Sequence, residues 1–235
     1  MTRHATLSSW QAARQSYSLF LGALPRFSLM LLKMLAAFIL ANGLVLTFFY
    51  EPPTAGAPGA SYGTNLDLLA LLLMAPFLAA CGRLALLGTG AGEAYFVKVF
   101  QGRETRFLVT MLAALVGGLA PAGLAAAIDK RPAFGAAFKL GGRIVWRACA
   151  ATALVSGPFL VLNVILGAAA FVWAEGDPTR LFDKRFLFCV ETVSNMLQAL
   201  HLGLTTMACA LIAKGAIPEI FAGDPPTQAA PGQTP

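Results

Sequence analysis

The stretch KRFLFCVETVSNMLQALHLGLTTMACAL, residues 184–211, is apolar enough for a membrane helix yet carries polar groups at helical spacing. Glu191, Asn195, Gln198 and Thr205 fall at i, i+4, i+7 and i+14, which makes one stripe, with Ser194 and His201 on its shoulder. Polar side chains are costly against lipid, so this stripe must look into a bundle or a wet cavity. Two kinds of chemistry fit. A buried carboxylate needs a partner or a raised pKa, so Glu191 is a candidate for a proton or substrate path. Alternatively the stripe braces helices, each interhelical bond contributing ~0.6 kcal/mol. Lys33, Asn42, Arg83 and Asn163 are the polar residues of the other apolar runs that offer it partners.

A second pattern precedes residue 148. In RPAFGAAFKLGGRIVWR, residues 131–147, Lys139, Arg143 and Arg147 recur at i, i+4 and i+8, opposite Phe134, Phe138, Gly141 and Val145. A basic stripe set against a Phe stripe suits an anionic membrane surface. The same pattern also suits a helix packed on a bundle with a solvated basic face.

Catalytic signatures are weak. GTGAGE (88–93) lacks the Walker lysine and the third Rossmann glycine, and it follows an apolar run rather than a strand. The only histidines are His4 and His201, no GxSxG occurs, and the four cysteines (Cys81, Cys149, Cys189, Cys209) form no CxxC pair. The expectation is no catalytic residue, no cofactor and no metal.

Composition gives the setting. Of 235 residues, 57% are hydrophobic and 12% charged, half the charge of a soluble domain, which carries roughly 25%. The net charge of +6 flanks apolar runs rather than forming a patch, so nucleic acid is not the expected partner. Membrane lipids and a membrane-protein partner are. Arg exceeds Lys by 11 to 6 among abundant Ala and Gly, which points to a GC-rich bacterium and its inner membrane.

Four runs have spanning length: 27–49, 66–88, 148–174 and 187–213. A fifth, 107–128, is uncharged for 22 residues but holds Gly117, Gly118, Pro121 and Gly123. Before the first span, Leu7, Trp10, Tyr17, Leu21 and Leu24 share a helical face, predicting an interfacial amphipathic helix that Pro25 ends. The fold class is therefore all-α: a polytopic bundle of four spans, one Gly/Pro-broken segment and two amphipathic interfacial helices. Residues 1–217 form a single membrane domain. The tail 218–235, rich in Pro, Gln and Thr, is expected to be disordered.

The order of these segments resembles the membrane domain fused to some bacterial glycerophosphodiester phosphodiesterases, and related stand-alone inner-membrane proteins. GGLAPAGLAAAID (117–129) and AFKLGGRIVWR (137–147) carry the likeness: a Pro-Gly segment, then a basic helix ahead of a long span. The family has two full helices where this chain has only 107–128. In those fusions catalysis belongs to a separate soluble domain, so the resemblance implies no catalytic residue here. The leading expectation for the chain as a whole is a non-catalytic module that contacts lipids or assembles with a membrane partner. A small transporter or permease component using the stripe of the last span is the alternative.

Charge bias orients the chain. The region up to Lys33 holds four basic residues and the loop 50–65 none, so the N-terminus is expected in the cytoplasm. If 107–128 crosses, eleven basic residues lie inside and six outside; if it dips and returns, fourteen lie inside and three outside. The bias favours the dip, and with it a cytoplasmic C-terminus.

Overall fold

The computed structural model describes residues 7–50, 63–88, 141–175, 180 and 183–216. Its elements are the helices α1 (Ser9–Phe48), α2 (Gly63–Leu87), α3 (Gly141–Trp173) and α4 (Lys184–Ala216). Each contains a stretch long and apolar enough to cross a membrane, and the chain is a multi-pass membrane protein. The segment 107–128, Lys139, GTGAGE beyond Gly88 and the tail lie outside the described residues.

Two expected boundaries are corrected. The lead segment and the first span are one helix: α1 runs 40 residues through Pro25, about 60 Å at 1.5 Å per residue. Ser8 starts it with a capping box, its Oγ accepting from the Gln11 amide at 3.2 Å while Gln11 Oε1 accepts from the Ser8 amide at 3.0 Å. Proline removes one helical donor, but its fixed φ is helical, and membrane helices tolerate it where neighbours hold the backbone. Here the holding is continuous. Ala12, Ala13, Ser16, Phe20, Ala23, Phe27, Met30 and Met34 are all buried, one stripe passing straight across Pro25. The lead residues thus pack on the bundle by a face of mainly small residues, while Trp10, Leu21 and Leu24 of the expected apolar face are exposed. Likewise α3 begins at Gly141, so residues 141–147 are its first two turns rather than part of a separate interfacial helix.

Helix directions follow from specific contacts. Ser9 Oγ donates to Arg147 O at 3.0 Å and Tyr17 OH to Val155 O at 3.1 Å, so α1 and α3 run parallel. Asn42 meets Thr192 while Phe27 packs on Phe77 beside Gly203, so α4 runs against α1. Lys214 Nζ donates to Leu86 O at 2.7 Å, so α2 and α4 run parallel. The bundle is up–down–up–down. The start of α1, the end of α2, the start of α3 and the end of α4 share one end. The connection from Gly88 to Gly141 therefore begins and finishes on the same side.

The core forms where α1, α2 and α4 meet. Phe20 stacks on Phe27 at 5.9 Å, and both meet the edge or face of Phe77 at 6.4 and 5.7 Å. Gly203 lets α4 reach this cluster: a Cβ there would lie 2.7 Å from Phe77 Cε1 and 3.1 Å from Cys81 Sγ. Within their apolar windows, 72% of α2 but only 11% of α3 is buried, so α2 is central and α3 peripheral. Trp10 and Trp146 are exposed at one end, and Phe48, Phe49, Phe171 and Trp173 at the other. From Trp146 to Trp173 is about 40 Å of helix, the depth of a bilayer with its headgroups, and aromatic residues favour both interfaces.

Candidate functional site

The stripe of α4 splits among three neighbours. Asn195 turns toward α1. Asn42, 2% exposed, donates from Nδ2 to Thr192 Oγ1 at 3.1 Å and accepts at Oδ1 from Asn195 Nδ2 at 3.4 Å. One amide thus satisfies two α4 side chains in a buried place. Asn42 belongs to the polar set anticipated from sequence; Thr192, which completes the triad, was not singled out, being one of several threonines in the run.

His201 turns toward α3. Its Nε2 lies 2.7 Å from Ser156 Oγ, and its ring lies 5.2 Å from that of Phe159. The Ser156 hydroxyl donates its proton to Thr152 O at 2.7 Å. A hydroxyl has a single proton, so Ser156 accepts from His201, which selects the Nε2–H tautomer. Thr152 Oγ1 also lies 4.0 Å from Cys209 Sγ. Thr152 and Ser156, at i and i+4, make a hydroxyl seam on α3. Sequence reading passed over it because serine and threonine are common in apolar helices.

The remaining stripe residues are Thr205, Glu191 and Gln198. Thr205 Oγ1 is buried with no hydrogen-bond partner. Glu191 is half-buried and Gln198 is exposed. Arg83 is not at the level of Glu191. It lies two residues beyond Cys81, near the level of Gly203, whereas Glu191 precedes Gly203 by twelve residues, a separation of about 18 Å or more along the bundle. Arg83 and Glu191 therefore lie at different levels of the bundle; spacing within one helix says nothing of level on another.

Of the basic face, Lys139 lies outside the described residues, and Arg143 sits in the first turn of α3. Arg147 is half-buried, and its carbonyl takes the Ser9 hydroxyl. At the opposite end, Asp183 Oδ1 caps α4 by accepting from the Arg185 and Phe186 amides at 2.8 and 3.1 Å. Trp173 stacks on Phe186 at 4.3 Å, and Lys184 Nζ lies 5.8 Å from the Tyr50 ring centroid.

Among the described residues no group of three or more His, Cys, Asp or Glu side chains is placed to hold a metal ion. What the arrangement offers is hydrogen bonding between helices, and an imidazole whose Nε2–H is held by a hydroxyl. No protein-family model, curated protein or solved structure matches the chain.

Proposed function

We propose that this chain is a non-catalytic module of the bacterial inner membrane, with its N-terminus in the cytoplasm, that contacts lipids or assembles with a membrane partner. The observation that carries this reading is the pairing of polar groups across helices: Asn42 with Thr192 and Asn195, and His201 with Ser156. Side chains used in such pairs brace a bundle and are not free to pass a substrate. The resemblance to the membrane domain of glycerophosphodiester phosphodiesterase fusions carries no catalytic residue into this chain. The shared end of α2 and α3 supports the returning form of 107–128, and with it a cytoplasmic C-terminus.

The transport reading keeps one observation in its favour, the lone Thr205 hydroxyl inside the stripe. Glu191→Gln separates the two. It keeps the side chain's shape and removes its charge. In a strain whose growth depends on this protein, a bracing Glu191 tolerates the change and growth is unaltered. Lost growth with normal membrane insertion would establish a path through Glu191 and end the module reading.

A further inference from the structure

The seam between α3 and α4 keeps a fixed register. Trp173 stacks on Phe186; fifteen residues further along α4 and fourteen back along α3, His201 meets Phe159. Ser156, one turn back, bonds the same histidine. Each step forward on α4 is thus matched by a step back on α3. Eight residues past His201 stands Cys209. Eight residues back from Phe159 and from Ser156 are Ala151 and Ala148, and Cys149 lies between them. Cys149 and Cys209 are therefore at one level on neighbouring helices.

Rotation agrees with level. Cys149, Thr152 and Ser156 fall at i, i+3 and i+7, so they share the face of α3 that meets α4. Thr152 Oγ1 lies 4.0 Å from Cys209 Sγ. Cys149 is near enough to Cys209 for a charge on one thiol to be felt by the other. Axes of packed helices lie about 8–10 Å apart, with Cα atoms about 2.3 Å from each axis. Facing residues thus come within the roughly 4.4–6.8 Å Cα separation of a disulfide. The other cysteines have no such place. Cys81 is buried against Gly203 in the core. Cys189 stands twenty residues before Cys209, about 30 Å along α4.

The two thiols sit at the end of the bundle that holds Trp146 and Lys214. Cys149 is three residues past the exposed Trp146, and Cys209 five residues before Lys214, about 4.5 and 7.5 Å along their helices. A bilayer is roughly 40–45 Å thick with its headgroups and about 30 Å without them. That depth is the headgroup layer or its edge, which water and small solutes reach. Cys149 is exposed and Cys209 half-buried, so a solute arriving from water meets Cys149 first.

We propose that Cys149 and Cys209 are a redox modification site, a dithiol that hydrogen peroxide oxidises to a disulfide stapling α3 to α4. The Cys149 thiolate attacks one peroxide oxygen. The O–O bond breaks, and the departing hydroxide takes the proton that the thiol has shed, leaving a sulfenic acid and water. The Cys209 sulfur then attacks the sulfur of Cys149. The S–S bond forms, the S–O bond breaks, and hydroxide leaves with the Cys209 proton as a second water. The two thiols lose two electrons and two protons, and one peroxide becomes two waters. On the cytoplasmic placement proposed above, thiols at this end are kept reduced at rest. The disulfide therefore marks oxidising conditions, and exchange with a reduced thiol restores the pair. The staple falls on the most loosely held helix, since only 11% of the apolar window of α3 is buried.

The test uses the full chain in phospholipid vesicles, treated with hydrogen peroxide. Remaining thiols are blocked with N-ethylmaleimide, and digests are mapped by mass spectrometry. A peptide pair joined through Cys149 and Cys209, two hydrogens lighter than the separate thiols, is expected, and dithiothreitol should release it. Cys209→Ser should lose the link and leave Cys149 as a sulfenic acid that dimedone captures. Cys149→Ser should also lose it and leave Cys209 open to N-ethylmaleimide. The unfolding temperature of the unaltered chain should rise on oxidation and fall back on reduction, and in both variants it should ignore peroxide. If either variant fails to fold, the linked peptide and the reversible shift of the unaltered chain decide alone. Cys149 passing to sulfinic acid with no link formed would overturn the proposal. So would a disulfide through Cys81 or Cys189, or one joining Cys149 to a second chain. None of those results touches the bracing pairs, whereas lost growth with Glu191→Gln would strike the module reading and leave the dithiol standing.

Discussion

Asn42 serves two α4 side chains at once, so its loss orphans both. Asn42→Leu should lower stability in detergent by ~1 kcal/mol or somewhat more, since single interhelical bonds average ~0.6 and reach ~1.7. Gln198→Leu, at an exposed position with no bond to lose, should leave the unfolding temperature unchanged. Equal losses at the two positions would contradict the division of the stripe described above. Gly203 is more sensitive for a steric reason. A Cβ there lies 2.7 Å from the Phe77 ring and 3.1 Å from Cys81, and neither belongs to a flexible side-chain end. Gly203→Ala should therefore cost ~1–3 kcal/mol as overpacking. Phe77→Leu in the same chain should recover part of that cost, because it removes the ring edge. A simple sum of the two single effects would mean that the crowding lies elsewhere.

At the level of elements, three of the four helices contain a proline, and each acts differently. Pro25 is carried inside α1 by a buried stripe that continues on both sides of it. Pro76 lies in the central α2, next to the core ring of Phe77. Pro158 lies in α3 next to Phe159, which is buried and packs on His201 of α4. With cysteines replacing Asn163 and Gln198 and the native cysteines removed, oxidation should give little crosslink, since a disulfide needs Cβ atoms about 3.5–4.5 Å apart. A high yield would contradict the exposure of both positions. Hydropathy found all four spans, because twenty apolar residues in a row are hard to mistake. It misjudged α1, where Pro25 reads as a stop although the alanine, serine and phenylalanine spacing runs on past it. It found that α4 has a polar face and named Asn42 among the partners. It could not say that Gln198 looks out while Asn195 looks in, because that depends on which neighbouring helix each residue meets. Nor could it separate Arg83 from Glu191, which needs the relative levels of two helices.

For the whole molecule, the shared end of four helix termini makes a topological statement. Single cysteines replacing Trp10 and Lys214 should react with an impermeant thiol reagent from the same side, and one replacing Phe49 from the other. By charge bias the first pair, and a cysteine at Lys139, should be shielded in intact cells. Labelling of Trp10 and Lys214 from opposite sides would refute the up–down–up–down order. Alkaline carbonate should leave the protein in the membrane pellet, as four apolar helices require. The position of Lys214 also bears on how the bundle is made. Its ammonium takes the Leu86 carbonyl in the last turn of α2, and α4 packs against every other helix. Yet α4 emerges from the ribosome more than a hundred residues after α2 starts, a delay on the order of ten seconds at ~5–20 residues per second. During that interval α1 and α2, joined late by α3, lie in the bilayer with the Phe77 cluster not yet covered by α4 and the Leu86 carbonyl without Lys214. That nascent intermediate is the form a membrane protease or insertion chaperone would meet, and its lifetime is set by translation rather than by packing.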